Sequence, residues 1–300
     1  MRRLIPSVLA ALSLVACATG AGSSTDDGRP VVVVSFPVLG AVVADAVGDA
    51  AEVRVLMPNG ADPHDWSPSP KDIEAMNQAD LVVVNGFDLE EGMADALADA
   101  ERSGVPVFEA ASTVEPVEAT GGGHADETDG DEHDLDPHLW MNPRAMRSVV
   151  EGFAAAMAAE GVDIAVTANA TAEALSALDR EIETVLAAVP DDRRVLVTGH
   201  ESMGWFALRY RFEVVGTIVP GLSSQAGVDA GVLAELTETI EAEGVPAIFT
   251  ELGTPPQVAE AIGREAGVEV VELASHHLPD DGTYRSFLMG NAEAIAGALA

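Results

Sequence analysis

The sequence predicts an α/β protein of two lobes, each a mostly parallel sheet covered by helices, joined by a long helix. Three observations predict it: β-branched runs alternate with helix-like stretches, a helical periodicity fills the middle of the chain, and the alternation then resumes. Residues 31–35, VVVVS, form the first strand, and the small residues that follow to Asp49 suit a helix. Strand signals recur at 53–57, 81–85 and 105–108, which places the N-terminal lobe at 30–141. Residues 142–190 are expected as the linking helix. There Leu175, Leu178, Ile182, Val185, Leu186 and Val189 keep a 3.6-residue period with Glu and Arg between them. Pro190-Asp191-Asp192 stops that helix. Strands at 195–198, 214–218, 247–250 and 268–271 then build the C-terminal lobe, 191–300.

The 300 residues are 48% hydrophobic and 22% charged, a globular balance that excludes wholesale disorder. Only 4% are aromatic, so the core rests on Ala, Val, Leu and Ile. Fifteen basic against 50 acidic residues give a formal charge of −35. Such a surface repels phosphate backbones and excludes nucleic acid as a partner; it draws in cations and favours solubility. A single cysteine excludes an intramolecular disulfide framework and a cysteine-rich zinc cluster.

That cysteine is Cys17. It follows a basic Met1-Arg2-Arg3 and an apolar run, 4–16, too short to cross a bilayer. Leu14-Val15-Ala16-Cys17 resembles a bacterial lipobox, so residues 1–16 read as a lipoprotein signal peptide and Cys17 as the lipidated residue. Residues 17–29 are small and polar, as suits a tether. The expected location is extracytoplasmic, anchored to the cell membrane by the N-terminal lipid. A second polar segment, 119–134, is an acidic loop carrying His124 and His133; it reads as a solvated linker or as a low-affinity cation collector.

Seven histidines are available as metal ligands. Two stand in the same tripeptide, Asp62-Pro63-His64 and Asp136-Pro137-His138, where proline stiffens the backbone before the imidazole. The preceding aspartates, Asp62 and Asp136, are placed to fix the ring tautomers from behind. His200 follows the strand 195–198 and a glycine; His276 and His277 follow the strand 268–271. The carboxyl ends of strands are the ligand edge of an open α/β sheet. Histidines gathered on that edge from two lobes point to a metal site.

In these segments the chain resembles the solute-binding lipoproteins of zinc and manganese ABC importers, in particular the zinc-binding, ZnuA-like members of the cluster A-I type. The resemblance spans residues 30–300. It is carried by Gly60-Ala61-Asp62-Pro63-His64 with Pro68-Ser69-Pro70, and by Asp136-Pro137-His138-Leu139-Trp140-Met141-Asn142-Pro143. Val197-Thr198-Gly199-His200 with Trp205-Phe206, Ile248-Phe249-Thr250-Glu251 and Thr283-Tyr284 extend it. It implies two lobes bridged by a rigid helix, with metal in the cleft between them, held by His64 and His138 from the first lobe and His200 from the second. Manganese members usually carry glutamate where His200 stands, so the resemblance favours Zn(II) over Mn(II) as cargo; several neutral imidazoles favour zinc as well. The family generally supplies an Asp or Glu as fourth ligand, and alignment puts His276 in that slot. Asp280, Asp281 and His277 remain alternatives, with Asp280-Asp281-Gly282 also fitting a turn into the last helix. The implied partners are an ABC permease and its ATPase, and the implied state is a monomer. Two other functions compete: an adhesin-type surface lipoprotein that binds metal, and a zinc metallohydrolase. The hydrolase is disfavoured because His200-Glu201 lacks the second histidine of a His-Glu-x-x-His motif, so no catalytic residue is expected.

Overall fold

The computed structural model describes residues 28–119, 135–224, 227 and 230–300. The leader, Cys17, and His124 and His133 of the acidic loop lie outside the described residues.

In the first lobe β1 (Val31–Val34), β2 (Glu52–Val55), β3 (Leu81–Val84) and β4 (Val107–Glu109) form a parallel sheet in the order β2-β1-β3-β4. The crossovers carry α1 (Pro37–Val47), α2 (Pro70–Asn77) and α3 (Ala94–Arg102). Alternate residues serve opposite faces. Val32, Val34, Leu81 and Val83 join the apolar cluster that contains α1, while Val33, Val82 and Val84 pack with Met76 of α2 and Ala96 of α3. Burial on both faces is why these strands read as unbroken apolar runs. Ser69 starts α2 with a reciprocal capping box to Asp72, which fixes where the loop bearing His64 ends.

The segment expected as one linking helix, 142–190, is two helices: α4 (Pro143–Ala159) and α5 (Ala165–Leu186). Gly161 takes a φ of 81°, a left-handed turn that ends α4. The Asp163 carboxylate then accepts the Ala165 N–H at 3.0 Å and starts α5. The bridge between lobes is therefore α5 alone, 22 residues or about 33 Å long. It packs on α4 and on α1 of the first lobe, with Leu175, Leu178, Ile182 and Leu186 buried as their spacing predicts.

The second lobe pairs β5 (Val195–Thr198) with β6 (Glu213–Thr217) and β7 (Ala247–Thr250) with β8 (Glu269–Glu272), both parallel, with β7 beside β5. Its helices are α6 (Gly204–Tyr210), α7 (Ala230–Glu243), α8 (Pro256–Ala266) and α9 (Tyr284–Leu299). α9 returns to pack on α5. A buried Asp179 in α5 ties the bridge to both neighbours. It accepts from Arg144 of α4 at 2.9 Å and from Arg209 of α6 at 2.6 and 2.7 Å. Among the described residues no helix is long and apolar enough to cross a membrane.

Candidate metal centre

Four loops at the carboxyl ends of strands converge between the lobes. His64 lies between β2 and α2, and His138 immediately precedes a 3-10 turn, Leu139–Met141, that leads into α4. His200 follows β5, and His276 follows β8. Local sequence explains each placement. In the two Asp-Pro-His tripeptides the aspartate turns back on its own backbone: Asp62 Oδ1 accepts the His64 N–H at 3.0 Å, and Asp136 Oδ1 accepts that of His138 at 2.9 Å. Gly199 lets the His200 loop lie against its neighbours, since a Cβ there would collide with Thr254 Oγ1 and Glu251 Cγ.

The four imidazoles present one nitrogen each, all within 4.8 Å of one another. His138 Nε2 is 3.3 Å from His64 Nε2 and 3.1 Å from His200 Nε2. Four nitrogens held ~2.0–2.1 Å from a tetrahedral zinc stand about 3.3–3.4 Å apart, which the two separations from His138 approach. His138, His200 and His276 are 0, 1 and 0% exposed, while His64 is partly exposed. His276 Nε2 is buried without a hydrogen-bond partner, an arrangement that is costly unless a cation occupies the centre.

The atoms behind the rings set their tautomers. Asp136 Oδ1 is 2.8 Å from His138 Nδ1; when ionised, the carboxylate accepts the proton of that nitrogen and leaves Nε2 free to coordinate. Ser275 Oγ is 2.9 Å from His276 Nδ1, a hydrogen bond that either group can donate. Trp140 Nε1 donates to Ser275 O at 2.7 Å, and Trp205 Nε1 donates to Asp136 O at 2.9 Å. Asp62 behaves differently from the expectation drawn for it. Its Oδ1 holds the His64 backbone and its Oδ2 receives the Ser224 hydroxyl, so it positions the loop and does not engage the His64 ring.

Glu251 has a role the sequence reading did not assign. It accepts the His200 N–H at 3.0 Å and the Ser202 hydroxyl at 2.6 Å, and its Oε1 lies 3.1 Å from His200 Nδ1. The signal available was a carboxylate at the end of a buried strand, Ala247–Thr250, where an ionised group needs a partner. The alternatives to His276 lie elsewhere. Asp280 and Asp281 are exposed, and Asp281 accepts from Thr283 N at 3.0 Å and Ser286 Oγ at 2.5 Å at the start of α9. His277 is not among the converging rings and lines a cavity of about 510 Å³ with Glu251, Glu260 and Glu272.

Burial and mutual repulsion divide the histidines into two kinds. Burial, reinforced by the neighbouring His200, pushes His64 down to about 4 and holds His138 and His276 well below the ordinary imidazole value. Burial also opposes charge on His200, but the Glu251 carboxylate outweighs it and raises that ring. Burial likewise works against ionised Glu251, yet His200 and the Ser202 hydroxyl bring it to about 2. Asp136 is pushed up to about 7 by burial. Three rings are thus held toward the neutral form that coordinates, while Glu251 draws His200 toward the protonated one.

Known proteins share this architecture. The chain is 29% identical to the zinc-binding protein TroA of Treponema pallidum, over 100% of this chain and 99% of that one. It is 27% identical to the manganese-binding lipoprotein MntA of Halalkalibacterium halodurans, over 88% and 85% of the two chains. The solved periplasmic zinc-binding protein TroA superposes with a TM-score of 0.76 at 27% identity, covering 91% of this chain and all of that one. The family model described as ZnuA, zinc-uptake complex component A, periplasmic, matches residues 32–298. With that match spanning both lobes and all four converging histidines, the chain belongs to the ZnuA family of zinc/manganese ABC solute-binding proteins.

Proposed function

We propose that this protein captures Zn(II) outside the cytoplasmic membrane, anchored through Cys17, and delivers it to an ABC permease driven by its ATPase. The observation that carries this reading is the donor set: four imidazoles converge, and the nearby carboxylates Asp136 and Glu251 stand behind the rings. Nitrogen-rich tetrahedral sites suit zinc, whereas manganese takes oxygen-rich, higher-coordinate ones. Competition titration of the metal-free chain is expected to show Zn(II) bound more tightly than Mn(II), on the order of a hundredfold or more. Equal or tighter Mn(II) binding would refute zinc as the cargo.

Proton counting supplies a second test. Coordination requires neutral rings. His64, His138 and His276 are depressed and have no proton to give at pH 7; His200 is raised, and Asp136 titrates near 7. The protons released on binding are therefore expected to come from His200 and Asp136 and to stay well below four. The Asp136 share should shrink as pH rises above about 7. Calorimetry in buffers of different ionisation enthalpy measures it, and a release near four would mean that the rings are not held neutral by burial.

A further inference from the structure

His138, His200 and His276 are sealed from solvent, and of the cluster only His64 reaches the surface. An ion entering or leaving therefore passes the loop between β2 and α2. Two attachments to the second lobe hold that loop down. The first is the Asn59 carboxamide, whose Nδ2 donates to Leu278 O at 2.8 Å and whose Oδ1 accepts the Leu278 N–H at 2.8 Å. One side chain thus pairs both backbone groups of a residue two positions beyond His276. The second is the Ser224 hydroxyl, which donates to Asp62 Oδ2, while Asp62 Oδ1 holds the His64 N–H. Gly253, at a φ of 91°, brings its own loop to the same place: a Cβ there would lie 2.7 Å from Ser224 Cβ and 3.3 Å from Asp62 Oδ2.

We infer that Asn59 is a latch residue: its paired bonds to Leu278, backed by the Ser224–Asp62 contact, hold the His64 loop shut and set the rate at which the ion enters and leaves. The inference rests on the reading that the four histidines hold zinc. Asn59 makes no bond to a ring nitrogen, so it stabilises the shut loop whether or not an ion is bound. Both of its bonds are exposed, and water competes for them. They can therefore yield on the microsecond scale of loop motion, which a buried ion pair would not allow. A latch of this kind slows both directions equally. A residue that merely propped His64 in place would slow dissociation alone and would show its whole effect in affinity.

The test is stopped-flow transfer of Zn(II) from the full chain to excess chromophoric chelator, with the association rate and equilibrium competition measured on the same samples. In Asn59→Ala, release and uptake are both expected to quicken about tenfold while Kd stays within about threefold of wild type. Asn59→Asp keeps the acceptor for the Leu278 N–H but loses the donor, and should fall between; Ser224→Ala should move both rates in the same direction. Wild-type rates in Asn59→Ala, or faster release matched by an equal loss of affinity, would overturn the latch while leaving the zinc site standing. A wild-type chain that takes up no Zn(II) at equilibrium would overturn the reading beneath it.

Discussion

His276→Ala is expected to lower zinc affinity further than Asp280→Ala, Asp281→Ala or His277→Ala, and beyond the ~10–100-fold typical of losing an outer-shell partner. The ring converges on the other three and is fully buried, whereas both aspartates are exposed at the start of α9. The metal-free fold should change little. Deleting the ring removes an unpaired buried nitrogen that costs ~1–3 kcal/mol, and leaves a cavity whose cost is of similar size. Zinc competition and a metal-free melt, run side by side, therefore separate a coordinating ring from a structural one. A larger loss in either aspartate variant would restore the carboxylate ligand usual in the family.

Trp140→Ala is the replacement expected to cost most stability, ~3–5 kcal/mol by urea unfolding of the metal-free chain. Trp140 is wholly buried, its ring 4.8 Å from that of Phe36 and 5.2 Å from that of His138. It also joins the lobes. Its Nε1 donates to Ser275 O at 2.7 Å, and its own carbonyl accepts the Tyr284 hydroxyl at 2.7 Å. Zinc affinity should fall with stability, because the indole positions the residue just before His276. Trp140→Phe keeps most of the packing and strands only the Ser275 carbonyl, at ~1–3 kcal/mol. A cost below about 1 kcal/mol for the alanine variant would mean that the lobes are held together elsewhere.

Much of the fold was legible because doubly buried parallel strands leave a strong trace. Each expected strand, from 31–35 to 268–271, corresponds to an observed one within two residues at either end. The exception is instructive. Gly161 and Asp163 are ordinary stop and start signals, but the apolar period from Leu175 to Val189 reads as part of a single helix across 142–190. At the site, the repeated Asp-Pro-His tripeptide and the strand-end histidines stood out in the sequence. What did not was the part of the supporting layer that comes from distant segments. Glu251 meets His200 across 51 residues and Trp140 meets Ser275 across 135, and no local pattern encodes a contact of that span. The two tripeptides are identical, yet only Asp136 reaches its ring, because Ser224 of the other lobe engages Asp62.

The largest apolar cluster does not stop at the boundary between lobes. It runs from Val34 and Leu39 through Leu178 and Ile182 of α5 to Leu273 and Phe287. Each lobe also has a smaller apolar cluster of its own, but both share this one, so exposing one lobe would strip the other of part of the surface it packs against. Heat or denaturant should take the whole molecule apart in one cooperative step. A ligand bound at the cleft then stabilises the strands of both lobes against unfolding, including strands far from it.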